Sequence, residues 1–171
     1  MAILVTCPAC SATFRANDQY RSQSGKCPNC KKYLRIEGAH VGTHDVFISY
    51  SQHDKAVADA ACARLEALGI RCWIAPRDVP GGATWGSAIV EAIAGCSVMV
   101  LVFSGHANAS EQVLREVTTA VNEGVTIIPF RLDNELPSQD MRYFLAPLHW
   151  LDATTPPIAG HLEKLADRVR V

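Results

Sequence analysis

The chain of 171 residues is 49% apolar and 19% charged with a formal net charge of −1, a composition that excludes a disordered, highly charged polymer. Its longest strongly apolar run, Val98–Phe103, has six residues where a membrane-spanning helix needs about 20, so no membrane partner is expected. The opening Met-Ala-Ile-Leu-Val-Thr has no positive flank and meets Cys7 before any long apolar stretch, which argues against a secretory leader and for a reducing, cytoplasmic setting. There, seven cysteines are thiols or metal ligands rather than disulfides.

Residues 1–37 carry six bases against Asp18 and Glu37, a balance of +4, and the rest of the chain carries −5. Within the first part, Cys7-Pro8-Ala9-Cys10 and Cys27-Pro28-Asn29-Cys30 repeat one C-P-x-C pattern sixteen residues apart. Each pair forms a tight knuckle with two sulfurs facing one point, and two knuckles supply a closed tetrahedral site. A structural Zn2+ on Cys7, Cys10, Cys27 and Cys30 is the expectation, although iron in a rubredoxin-like site would take the same sulfurs. Four thiolates leave no open position, so the metal has no catalytic part. They also lower the local charge to about +2, which makes the lysines a weak nucleic-acid signal. Ser11–Arg15 reads as a strand, Asn17–Gly25 as a polar loop and Tyr33–Ile36 as a returning strand. The segment resembles small bacterial zinc ribbons that precede regulatory domains, which implies an activating partner or ligand without naming it. The ribbon is expected over residues 1–36 and a glycine-containing linker over 37–43.

Residues 44–171 read as one α/β domain. Asp45–Tyr50 is a continuous β-rich run suited to burial on both faces. Asp54 caps a helix with Val57, Ala61, Leu65 and Leu68 at helical spacing, and Gly69 ends it. Ile70–Ile74 is a second strand, followed by a loop rich in proline and glycine from Ala75 to Gly82. Trp85–Ala94 is helical, Ser97–Phe103 a strand, Ser110–Glu123 a helix and Val125–Phe130 a strand. Leu132–Phe144 reads as irregular, Leu148–Leu151 as a fifth strand and Ile158–Val169 as an amphipathic helix. Alternating strands and helices imply a parallel sheet covered on both faces, with flavodoxin-like order 2-1-3-4-5. Ligands bind beyond the carboxyl ends of such strands where the order reverses, which places Ser49, Tyr50, Ser51 and Ser104 at a crevice rim. Cys62 and Cys72 fall inside elements and Cys96 at a helix–strand junction, the positions of buried thiols.

Asp45-Val-Phe-Ile-Ser-Tyr-Ser51, Gly69-Ile-Arg-Cys-Trp73, Ala75-Pro-Arg-Asp78 with Trp85, Ser110-Glu-Gln-Val-Leu-Arg-Glu116, Val125–Arg131 and Leu148-His-Trp-Leu-Asp152 together resemble bacterial TIR domains over residues 44–152. The resemblance implies the five-stranded flavodoxin-like fold and self-association through the Ala75–Trp85 loop. Many bacterial members cleave NAD+ at the nicotinamide–ribose bond, and some cyclise the product. By position, Glu116 matches their essential glutamate, and it falls beside the apolar stripe Val113, Val117, Ala120 and Val121. Ser49, Tyr50, Arg77, Asp78, Trp85 and Ser104 are the candidate substrate contacts, with Arg77 suited to a phosphate. An assembly-activated signalling or antiphage effector follows from the resemblance, as does the alternative of a non-catalytic TIR–TIR adaptor. The pattern departs at Gln112, where several eukaryotic TIR enzymes have an aromatic residue that stacks on the substrate. Trp85 or Tyr50 would have to supply that stacking here.

Overall fold

The computed structural model describes residues 2–17, 20, 23–36, 39–40, 44–82 and 84–170. They form two compact units, Met1–Thr43 and His44–Val171. Among the described residues no helix is long and apolar enough to cross a membrane.

In the first unit, β1 (Ala2–Thr6) pairs antiparallel with β2 (Thr13–Asn17), from Ala2 opposite Asn17 to Thr6 opposite Thr13. A separate hairpin joins β3 (Ser24–Lys26) to β4 (Tyr33–Arg35). The core is small: Val5, Leu34 and Ile36 close around Cys7 and Cys27. Gly25 lets Ile36 pack close, because a Cβ there would stand 3.0 Å from Ile36 Cδ1 and the isoleucine would have to shift. Two features depart from expectation. Ala2–Thr6 is a strand that the sequence did not announce, and Ala39–His40, read as linker, forms β5 on the free edge of β1. Residues 37, 38 and 41–43 of the expected linker lie outside the described residues.

The second unit contains a five-stranded sheet, all parallel, of β6 (Val46–Ser49), β7 (Cys72–Ile74), β8 (Val98–Phe103), β9 (Thr126–Arg131) and β10 (Leu151–Asp152). Its spatial order is β7-β6-β8-β9-β10, the order 2-1-3-4-5 counted within the unit. Alternation along the strands divides the core. Val46, Ile48, Val100, Val102 and Phe130 face α1 (Lys55–Glu66) and α6 (Ile158–Val169). Phe47, Met99, Leu101, Phe103 and Ile127 face α2 (Trp85–Gly95), α4 (Glu111–Asn122) and α5 (Gln139–Leu145). The sheet is therefore covered on both faces, which is why its strands are near-continuous apolar runs. Gly69, at φ 79°, turns the chain out of α1 in a conformation that L residues resist.

Leu132–Phe144, expected to be irregular, contains most of α5. Ser138 caps that helix by accepting from the Met141 N–H, and Met141 and Leu145 are fully buried beneath it. A four-residue helix, α3 (Gly105–Asn108), follows β8. The fifth strand is shorter than expected and begins only at Leu151.

Candidate functional site

Two sites carry chemistry, one in each unit. In the first, the two knuckles repeat each other atom for atom. The Ser11 N–H donates to the Cys7 carbonyl at 2.8 Å and the Lys31 N–H to the Cys27 carbonyl at 3.0 Å. The Cys7 and Cys27 N–H groups donate in turn to the carbonyls of Ala12 and Lys32. The four sulfurs lie within 4.8 Å of one another, with Cys7–Cys30 at 3.7 Å and Cys10–Cys27 at 3.8 Å. A tetrahedron with metal–sulfur bonds of about 2.3 Å has edges of about 3.8 Å, so the donor set fits a closed four-thiolate metal site. The Ala12 N–H is the main reason that Cys10 is lowered to about 6, whereas at Cys30 the Lys32 N–H is outweighed by burial and the neighbouring sulfurs, which push it up to about 11. Ser11 and Lys31 hold φ of 56° and 62°, the left-handed region that costs an L residue roughly 1 kcal/mol or more. Ser11→Gly is therefore expected to raise the chelator concentration needed to strip the metal; a variant stripped more easily would contradict this account of the knuckle.

In the second unit, β6 and α4 build the other site. Val113, Val117 and Ala120 form the buried face of α4, and Glu116 lies on that face with only 7% of its surface exposed. Val121, assigned to the same stripe from sequence, is instead 43% exposed. Both carboxylate oxygens of Glu116 are held. Ser49 Oγ, at the carboxyl end of β6, donates to Oε2 at 2.6 Å, and Gln112 Nε2 donates to Oε1 at 3.0 Å. Burial pushes the Glu116 carboxyl above its ordinary value, and these two hydrogen bonds oppose the shift without cancelling it. The carboxylate borders a cavity of about 110 Å3 walled by Tyr50, Ala75, Trp85, Ile89 and Gln112 among others. Tyr50 donates its hydroxyl to the Ala75 carbonyl at 2.5 Å, which ties the loop after β7 to the end of β6. Trp85, at the start of α2, is 48% exposed, leaving ring surface open at the mouth.

The structure brings Ser49, Tyr50, Trp85 and Glu116 together, and it turns the remaining candidates elsewhere. Ser104 Oγ donates to Asp54 Oδ2 at 2.6 Å and accepts from the His106 and Ala107 N–H groups at 3.1 Å each. It caps α3 and clasps the loop after β6, and it forms no part of the cavity wall. His53 and His106 stack above the same seam with ring centroids 4.3 Å apart. Arg77 pairs with Glu66 at 2.7 Å and Asp78 at 2.8 Å, and Asp78 accepts from the Ile74 N–H at 2.9 Å. Arg77 and Asp78 thus shape the loop after β7 and do not face Glu116. Gln112 is the residue at the site that sequence reasoning passed over: it noted the missing aromatic ring there but not the amide's reach to the carboxylate.

A parallel sheet in the order 2-1-3-4-5, with a buried carboxylate beyond its strand ends, defines a flavodoxin-like α/β domain. The profile of the TIR domain matches residues 46–166, and the chain belongs to the TIR-domain family. The unit resembles the TIR domain of the Toll-related receptor TRR-2 from Hydra magnipapillata, at 23% identity and TM-score 0.64, covering 75% of this chain and 100% of that one. It also resembles the TIR domains of the activated Roq1 resistosome that recognises the effector XopQ, at 15% identity and TM-score 0.65, covering 74% and 99%. A metazoan TIR-STING receptor from C. gigas aligns at 20% identity and TM-score 0.60, covering 78% of this chain and 42% of the receptor. At these identities the likeness is one of fold. No curated protein sequence matches the chain.

Proposed function

We propose that this chain is a TIR-domain NAD+ nucleosidase whose catalytic carboxylate is Glu116, with the cysteine unit as a zinc ribbon that receives an activating partner. The observation that carries the reading is a buried glutamate, held at both oxygens, facing the strand-end cavity of a TIR domain. When the C1′–N bond of the nicotinamide riboside breaks, the electron pair leaves with nicotinamide, which departs neutral and needs no general acid. Positive charge then develops at C1′, and an ionised carboxylate placed there stabilises it before water, or an internal nucleophile in a cyclase, adds. Ser49 fixes the carboxylate from within the sheet, and Trp85 offers a ring face to the departing base or the adenine.

The 110 Å3 cavity is small beside the roughly 300–1,000 Å3 of ordinary ligand pockets. A dinucleotide needs the loop after β7 to open or a neighbouring TIR domain to complete the site, so activity should depend on self-association. Concentrated protein is expected to release nicotinamide from NAD+ with a specific activity that rises with protein concentration. Concentration-independent turnover would remove the assembly requirement, and no release in any assembled state would remove the enzyme. The same narrow cavity favours the second reading, a non-catalytic adaptor acting through TIR–TIR contacts.

A further inference from the structure

The β3–β4 hairpin has two unlike faces. Leu34 is buried in the small core, and its cross-strand neighbour Gly25 meets Ile36 on the same side. The strand period of two sends Ser24, Lys26, Tyr33 and Arg35 to the other side, where all four are exposed. The register sets them in two pairs, Lys26 opposite Tyr33 and Ser24 opposite Arg35. Lys26 Nζ lies over the Tyr33 ring, 5.1 Å from its centroid, and Tyr33 is still 74% exposed. One ring and its cation therefore stand together on open surface.

The second cysteine knuckle holds this pair in place. Lys26 immediately precedes Cys27, and Tyr33 immediately follows Lys32. The Cys27 N–H donates to the Lys32 carbonyl at 2.9 Å, which closes the turn between the two strands. Lys31 folds back over the knuckle, its Nζ donating to the Pro28 carbonyl at 2.8 Å, and Lys32 is exposed beside it. Among the described residues of this unit every charged side chain is positive: Arg15, Lys26, Lys31, Lys32 and Arg35. The balance over residues 1–37 stays near +2 even when four metal-bound thiolates are counted.

The four outward positions hold no aliphatic side chain, so they give an apolar helix or strand of a protein nothing to bury. A cation set suits any polyanion, but an exposed ring beside it selects one with flat faces. In a duplex those faces are stacked inside, whereas in a single strand they are free to lie on an aromatic side chain. We propose that the outward face of the β3–β4 hairpin binds single-stranded nucleic acid. A base stacks on Tyr33, and the flanking phosphates meet Lys26, Lys32 and Arg35. This gives a chemistry to the activating partner proposed for the cysteine unit. It is read by binding, so an absence of nicotinamide release leaves it standing.

The test is fluorescence anisotropy of a dye-labelled twelve-nucleotide oligo-dT titrated with the metal-replete full chain at several salt concentrations. Three phosphate contacts should make log K fall against log salt with a slope of about −2. Tyr33→Ala should weaken binding roughly tenfold with the slope unchanged, and Tyr33→Phe should bind like wild type, since stacking needs the ring and not the hydroxyl. Lys26→Gln should make the slope shallower by roughly 0.7. Absent or salt-insensitive binding by the wild-type chain would overturn the proposal. Displacement of the label by polyglutamate as readily as by unlabelled oligo-dT would also overturn it, in favour of an acidic protein. Equal displacement by duplex DNA would do the same. These arms use the wild-type chain alone, so a variant that fails to fold does not obscure them.

Discussion

Glu116→Ala is expected to lower nicotinamide release by about 10²–10³-fold, the usual cost of removing one preorganised electrostatic contact from a transition state. The stability of the conservative variant makes the test sharper. Glu116 is buried on a face otherwise made of Val113, Val117 and Ala120, and its carboxyl is raised above the ordinary value mainly by that burial. A raised carboxyl keeps its proton in the folded chain after the unfolded chain has released its own. Stability therefore falls as pH climbs from the ordinary glutamate value of about 4.3 up through the folded value. Glu116→Gln removes this slope; its amide oxygen still accepts from Ser49, and its amide nitrogen is satisfied when the Gln112 amide turns its oxygen inward. At pH 7 the glutamine variant should be inactive yet more stable than wild type, with a higher Tm. The gain should vanish below about pH 4, where wild-type Glu116 is protonated in both states. In wild type, release should rise with pH as the raised carboxyl ionises. Normal turnover by Glu116→Gln would remove Glu116 from the chemistry, and a Tm gain that persists at acid pH would refute the burial account.

What the sequence disclosed follows from the range of each interaction. Val98–Phe103 is buried on both faces, so its six apolar residues announce β8 directly, and α6 shows its full apolar period. The α5 helix hides because seven residues hold only two fully buried ones, Met141 and Leu145, while Tyr143 between them is 82% exposed. Glu116 was legible as a carboxylate beside an apolar stripe, a relation internal to one helix. Its partner Ser49 is 67 residues away, and no local pattern joins them. Arg77 and Asp78 were placed near the crevice because they follow a strand end. Glu66, on the preceding helix, instead draws Arg77 to the other side of the loop. Strand ends bring residues into a neighbourhood, and tertiary ion pairs decide which way they point.

Chelating the metal proposed for Cys7, Cys10, Cys27 and Cys30 is expected to unfold the Met1–Thr43 unit while the sheet of the second unit remains protected. Among the described residues, the first unit's buried core is Val5, Leu34, Ile36 and two of the cysteines themselves, with Phe14 and Ala16 packed partly buried against it. So small a core does little to offset the ordering of some 40 residues, and domains of this size usually fold with a metal, disulfides or a partner. Disulfides are excluded at the observed sulfur separations of 3.7 and 3.8 Å, well beyond the bonded distance of about 2.05 Å. Structural zinc contributes about 10–16 kcal/mol in small fingers, comparable with the whole stability of a typical domain. Metal analysis should find one zinc per chain, and cobalt in its place should give the spectrum of a tetrahedral thiolate site. After chelation or Cys27→Ala, amide protons of β1, β2 and β4 should exchange at near-unprotected rates while those of β6 and β8 keep theirs. Protection of β1 and β2 that survives complete metal removal would show that the strand pairing of Ala2–Thr6 with Thr13–Asn17 stands without the metal. The knuckles would then be appended to a fold they do not hold. Melting of both units together would instead show that the ribbon's stability is coupled to the TIR domain, a route by which a ligand at the cysteine unit could reach Glu116.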